Sequence, residues 1–206
     1  MNHRITRRTF LAGTAGGLIV ACSDSGTSAP PATTAPPVTT ARLGTSTTTT
    51  TASTLPPGPT FASNPFTLGV ASGDPAANSV VLWTRLAPDP AAPAGGMDPE
   101  PVTVGWQVGA DEDMATVMAS GEAKADPGFG HSIHVELGDL EPQRTYWYRF
   151  FVGDHESEIA RTRTTPAPSS MASQLVFGHA SCQNHNQGYW TAYDDMATAD
   201  LDAVLH

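Results

Sequence analysis

The stretch Leu140–Val152, LEPQRTYWYRFFV, decides the larger part of the fold. On an extended chain successive side chains point to opposite faces, so Tyr146, Tyr148 and Phe150 share one face while Trp147, Arg149 and Phe151 share the other. Aromatic residues at this period suit a strand packed inside a sheet. Leu140-Glu141-Pro142 followed by Tyr146 resembles a tyrosine corner, in which a phenol bonds back to the main chain at the turn before a core strand. The stretch therefore reads as a tight turn leading into a core strand.

Working outward, the runs FTLGVASG (66–73), SVVLWTRL (79–86), VTVGWQVG (102–109), HSIHVEL (131–137) and SEIARTRT (157–164) show the same alternation or β-branched enrichment. Turn clusters separate them: Gly73-Asp74-Pro75, Pro88-Asp89-Pro90, Gly95-Gly96, Asp126-Pro127-Gly128 and Gly153-Asp154. Short strands at regular spacing with turn signals between them predict an all-β, fibronectin type III-like or immunoglobulin-like sandwich over residues 66–166. Trp83 and Trp106 are expected in its core rather than on a sugar-binding platform. His131 and His134, three apart in a predicted strand, point to opposite faces and cannot chelate one ion. The acidic run Asp111-Glu112-Asp113 lacks the alternating ligand spacing of a calcium loop and reads as a solvated turn. Arg161 and Arg163 alternate with threonine, and serve either as surface charges or as contacts to the next domain.

Upstream the texture differs. Residues 1–22 have a basic start, MNHRITRR, and an apolar segment from Phe10 to Ala21, far short of the roughly 20 residues a membrane span needs. Arg7-Arg8, followed by Thr9-Phe10-Leu11, resembles a twin-arginine export signal, which implies a twin-arginine translocase as transient partner. Leu18-Ile19-Val20-Ala21-Cys22 resembles a bacterial lipobox, with Cys22 as the acylated residue and the membrane as anchor. Residues 23–65 are mostly threonine, serine, alanine, proline and glycine, with almost nothing to bury and with Asp24 and Arg42 the only charges. Such a stretch has too little to bury to offset its ordering entropy and is expected to be a disordered tether. About 140 residues then remain for folding, a comfortable single-domain length. The predicted location is the cell envelope, on the periplasmic or extracellular face.

The formal net charge is −10, and three of the basic residues, Arg4, Arg7 and Arg8, lie in the signal. The folded part is more acidic still. It repels nucleic acid, and no nucleic-acid binding is expected.

Residues 171–206 have another pattern. Leu175-Val176-Phe177-Gly178-His179-Ala180 is nearly unbroken in apolarity, as for a strand buried on both faces, with Gly178 admitting a close neighbour. Tyr189, Tyr193 and Met196 fall at helical spacing and give a packing face. Leu201–Leu205 is a second strand. The order β, α, β predicts a parallel pair joined by a right-handed crossover, and Cys182 then lies at the carboxyl edge, where ligands gather in α/β folds. With Cys22 acylated, Cys182 is the only thiol left, so no internal disulfide forms. Its chemistry leaves a packed thiol, a reactive thiol and a metal-bound thiolate open. His179-x-x-Cys182-x-x-His185 has ligand-like residue types without making a closed tetrahedral site. A thiol-hydrolase pair of Cys182 with His185 lacks an orienting third group.

Several motifs together carry a resemblance: Phe66-Thr-Leu-Gly-Val-Ala-Ser-Gly-Asp-Pro75, Val81-Leu-Trp-Thr-Arg-Leu86, Tyr146-Trp-Tyr-Arg-Phe150, Ala180-Ser-Cys-Gln183 and Asp202-Ala-Val-Leu-His206. In combination, from Phe66 to the last residue, they resemble the PhoD-like alkaline phosphatase family. The resemblance implies a sandwich followed by the beginning of an α/β, calcineurin-like metallophosphatase domain. It also implies hydrolysis of phosphate monoesters or diesters at a centre of iron and calcium. Carried onto this sequence, the cysteine of the Ser-Cys-Gln motif is Cys182, an iron ligand. In the family the strand ending at His206 continues into Leu-Gly-Asp-Tyr, and further Asn, Asp and His ligands come later. None of these is present, so no catalytic residue is assigned, and His179, His185 and His206 inherit no ligand role.

The expectation is accordingly the N-terminal portion of an exported phosphatase, by itself without turnover or a stable binuclear centre. The alternative is a lipid-anchored cell-surface module whose fibronectin-like domain binds a partner.

Overall fold

The computed structural model describes residues 37–43, 59–184 and 186–206. The signal with Arg7, Arg8 and Cys22, much of the tether, and His185 lie outside the described residues.

Two sheets face each other. The first has the order β1 (Val38–Arg42), β6 (Ser132–Gly138), β3 (Val80–Arg85), β2 (Val70–Gly73). The second runs β5 (Val117–Ala125), β4 (Val102–Gly109), β7 (Thr145–Val152), and beyond β7 lie β8 (His155–Glu156) and β9 (Ala160–Arg163). Apart from β1, all pairings in the two sheets are antiparallel. Alternation does what the sequence requires: Val80, Leu82 and Thr84 of β3 are buried, and Tyr146, Tyr148 and Phe150 of β7 are at most 1% exposed. Val80, Leu82 and the three aromatic side chains join Val104, Val135 and Leu137 in one core. Tyr148 and Phe150, two apart on the same face, meet edge to face with ring centroids 6.1 Å apart, an arrangement that suits the aromatic quadrupole. The sandwich expected from Phe66 onward is present, and its tyrosine corner closes: the Glu141 amide donates to the Tyr146 phenol at 2.8 Å.

Four features differ from the sequence expectation. β5, VMASGEAKA, has no expected counterpart, because alanine, glycine, glutamate and lysine carry little strand preference. It forms through backbone pairing along β4 from Val102↔Ala125 to Gly109↔Val117. Its Gly121 leaves room for the Trp106 indole, since a Cβ there would lie 2.6 Å from Cζ2.

The second difference is β1, in the stretch expected to be disordered. It pairs parallel with β6 from Val38↔His134 to Arg42↔Gly138, and Leu43 N donates to Gly138 O at 3.1 Å. Residues 59–65 also lie on the sandwich: Ala87 N donates to Pro65 O at 2.8 Å, and Asn64 Nδ2 to Glu156 O at 2.9 Å. A free sheet edge offers unpaired N–H and C=O groups to any extended segment, so composition alone does not forbid pairing.

Third, Trp106 is buried but Trp83 is not in the core. Trp83 sits half-buried on the outer face of its sheet, opposite His134 and Ala71. β3 has a period of two, and its buried set is Val80, Leu82 and Thr84, so Trp83 must point outward. Fourth, His131 precedes β6 in a left-handed turn with φ of 58°. It is buried, with Nε2 3.0 Å from Glu100 O. A carbonyl only accepts, so Nε2 carries the proton there.

The acidic run is used as a turn. Asp111 accepts the Ala115 amide at 2.7 Å and the Thr116 amide at 3.1 Å. Among the described residues no helix is long and apolar enough to cross a membrane.

Candidate functional site

After the sandwich the chain forms β10 (Phe177–His179), α1 (Thr191–Thr198) and β11 (Ala203–Leu205), with the two strands parallel from Phe177↔Ala203 to His179↔Leu205. Ala180 N extends the ladder to Leu205 O at 3.0 Å. Gly178 makes the packing possible. A Cβ there would lie 2.8 Å from Leu201 Cδ1 and 3.0 Å from Met196 Sδ, so only glycine lets the helix settle this closely.

The expectation that β10 is buried on both faces is corrected. Gly178 is buried, but Phe177 is 55% and Leu205 57% exposed. One short helix packs against the Gly178 face of the two-stranded sheet, and the Phe177 and Leu205 side chains on the other face stay largely exposed. The helical packing face is also narrower than expected. Tyr193 and Met196 are half-buried, while Tyr189 precedes the helix and is 92% exposed.

Cys182 lies just beyond the carboxyl end of β10, exposed, with φ of 58°. The left-handed backbone is sterically costly for a residue with a Cβ, and it turns the chain sharply at the thiol. The loop after it is braced by its own amides. Gln183 Nε2 donates to Gln187 O at 3.0 Å, and Asn184 Oδ1 accepts the Asn186 amide at 3.0 Å. At the carboxyl end of β11, the His206 ring lies 6.0 Å from the Tyr193 ring in a stacked arrangement, with Tyr193 Oη 2.6 Å from His206 Nε2. Sequence periodicity placed Tyr193 on a packing face; it did not reveal that its hydroxyl holds the residue after β11.

The parallel pair thus puts Cys182 and His206 at the same sheet edge. His179 is exposed in β10 itself, and His131 and His134 belong to the sandwich, remote in sequence and topology. Among the described residues no three His, Cys, Asp or Glu side chains come together as a metal site. A single thiol does not fix a metal's geometry, so these residues do not by themselves fit the iron and calcium centre that the family resemblance implies.

The amino ends of the two strands are held differently. Asp202, immediately before β11, accepts the Val176 amide on Oδ2 at 2.8 Å and returns its own amide to Val176 O at 2.8 Å. Its other oxygen, Oδ1, accepts from the Arg163 guanidinium of β9. Arg161 Nη1 lies 3.3 Å from Asp200 Oδ1. Both arginines therefore contact the α/β unit. A cleft of about 530 Å³ runs beside these pairs, between β11 and the end of β2 with Asp74 and Pro75 after it.

Comparison with known proteins matches this description. The model of the family "PhoD-like phosphatase, N-terminal domain" covers residues 49–166, starting within the stretch read as tether. Alkaline phosphatase D of Bacillus subtilis (strain 168) is 50% identical over 148 residues, 72% of this chain and 25% of that protein. A solved structure of PhoD, at 50% identity, superposes with a TM-score of 0.69 over 71% of this chain and 28% of its own. The chain spans about a quarter of the length of these relatives. The chain belongs to the PhoD-like phosphatase family.

Proposed function

We propose that this chain is the N-terminal portion of an exported, metal-dependent phosphatase or phosphodiesterase, and that its contribution to the site is Cys182. The observation that carries the reading is the place of the Ser181-Cys182-Gln183 turn. It lies at the carboxyl end of the first strand of a parallel pair, in a chain that is half identical to an alkaline phosphatase over most of its length. In α/β folds that edge is where ligands bind. The substrate class is a phosphate monoester or diester. Iron and calcium are the proposed metals, with the Cys182 thiolate as an iron ligand and the remaining ligands outside this chain's described residues. The family likeness favours this reading over a lipid-anchored binding module.

Localisation belongs to the same proposal. Arg7-Arg8 serve as the twin-arginine signal read by the translocase, and Cys22 as an acylated anchor to the membrane. Residues 23–65 stand between the anchor and the sandwich, with β1 fastened along it.

A chimera tests the function. Residues 66–206 of this chain replace the matching N-terminal part of Bacillus subtilis alkaline phosphatase D, and hydrolysis of p-nitrophenyl phosphate is measured with iron and calcium supplied. The expected result is metal-dependent turnover that Cys182→Ser reduces by at least a hundredfold, while the 206-residue chain alone gives none. A folded chimera without activity, or one indifferent to Cys182→Ser, overturns the proposal.

A further inference from the structure

We infer that Arg163 and Asp202 are positioning residues: through them the sandwich sets the start of β10 and β11, and so the placement of the Cys182 edge. The inference rests on the reading of Cys182 as a site residue, and deepens it.

The α/β unit has little core of its own. Its strands are three residues each and largely exposed, and α1 has no buried residue. A two-stranded sheet of this kind is marginal without further packing. Asp202 gathers three bonds at the one point where the two strands begin. It takes the Val176 amide on one carboxylate oxygen, and gives its amide to the Val176 carbonyl. Its second oxygen takes the Arg163 guanidinium, so a single carboxylate joins β9, β10 and β11.

The two arginine pairs are not equivalent. Arg161 gives one long bond to the Leu201 carbonyl, at 3.4 Å, and pairs with an Asp200 side chain that is 94% exposed. Such an exposed pair contributes little. The Asp202 side chain is 18% exposed, with both carboxylate oxygens bonded. Charge-assisted bonds to a shielded carboxylate are the strong and directional kind. The sandwich side is firm: Thr162, between the arginines, is buried, and β9 pairs with the core strand β7 from Thr145↔Arg163 to Tyr148↔Ala160. Val176 precedes β10 directly, and Cys182 comes within a few residues of its end. A guanidinium on a rigid sheet therefore sets the origin of the strand whose far end carries the thiol.

Hydrogen exchange on the 206-residue chain tests this. Arg163→Ala is expected to speed exchange of the Val176 and Ala180 amides, both bonded on the β11 side, at least tenfold, leaving the β3 and β7 amides unchanged. Arg163→Lys restores most of the protection, because an ammonium still reaches Asp202 Oδ1. Asp202→Asn keeps an acceptor for the Val176 amide but loses the charge, so it behaves as Arg163→Ala does, and the double variant is no worse than either. Additive effects, no change in Arg163→Ala, or Val176 and Ala180 amides already unprotected in the wild-type chain would each overturn the inference. None of these readouts depends on turnover, so the latch and the phosphatase reading fail separately.

Discussion

Tyr146 and Glu141 are joined across the turn that opens β7: the phenol oxygen accepts the Glu141 amide at 2.8 Å, with the Tyr146 ring buried beneath. Thr164 completes the corner by donating its hydroxyl to Glu141 O at 2.7 Å and accepting the Arg144 amide at 3.0 Å. The Arg144 guanidinium carbon stands 5.3 Å from the centroid of the Tyr146 ring. Tyr146→Phe keeps the packing and removes the acceptor. It is expected to lower stability by about 1 kcal/mol in urea unfolding. An unchanged midpoint would show that water replaces the phenol.

Alkaline stability should depend on Tyr148. Burial pushes this phenol up from 10.0 to about 12, with the Glu158 charge acting the same way and a Ser72 hydrogen bond opposing. Because the folded value is the higher one, the stabilisation is complete below pH 10 and is lost as pH rises from 10 towards 12. The loss over that window is roughly 2–3 kcal/mol. Tyr148→Phe should flatten the stability profile between those pH values; an equally steep fall in the variant would assign the effect to another group.

Gly105 lies directly opposite Phe151, whose ring covers it; an added Cβ would sit 2.0 Å from Cε2. Gly105→Ala is expected to cost about 1–3 kcal/mol, the range for forcing atoms into a filled space. Shortening the ring with Phe151→Leu in the same chain should recover part of it. Strictly additive losses would mean the ring moves aside freely.

The two sandwich tryptophans should separate by energy. Trp106, 3% exposed, fills the core, and Trp106→Ala is expected to cost about 3–5 kcal/mol. Trp83→Ala, on the outer face, should cost less than half as much. Equal losses by urea denaturation would place Trp83 in an interface of its own.

Cys182 is exposed in the folded chain. In a Cys22→Ser background, Ellman's reagent should react with it in the native state within about tenfold of the rate in denaturant. Protection of a hundredfold or more would restore the packed thiol.

How far the sequence carried each part depends on the range of the forces involved. β3, β6 and β7 were legible because burial acts on every second residue, and that period is written in the chain itself. The tyrosine corner and the sharp turn at Cys182 after an apolar strand are likewise local. β1 and β5 were not legible. Their main-chain groups pair with a neighbour's edge, and that edge exists only once the neighbouring strand is in place. Trp83 went the other way: its hydrophobicity suggests burial, but the register of β3, set by Leu82 and its partners, decides the face.

The same division runs through the site. Residue types and order alone placed Cys182 at the carboxyl end of a strand, and the parallel pairing of that strand with Leu201–Leu205 was expected from the crossover rule. Which carboxylate answers Arg163 was not decided by order, because Asp200 and Asp202 are chemically alike. Only the tertiary structure chose Asp202, 39 residues away along the chain. There β9 and the starts of β10 and β11 converge, and the shielded Asp202 carboxylate, at the head of β11, bonds both Arg163 and the Val176 amide.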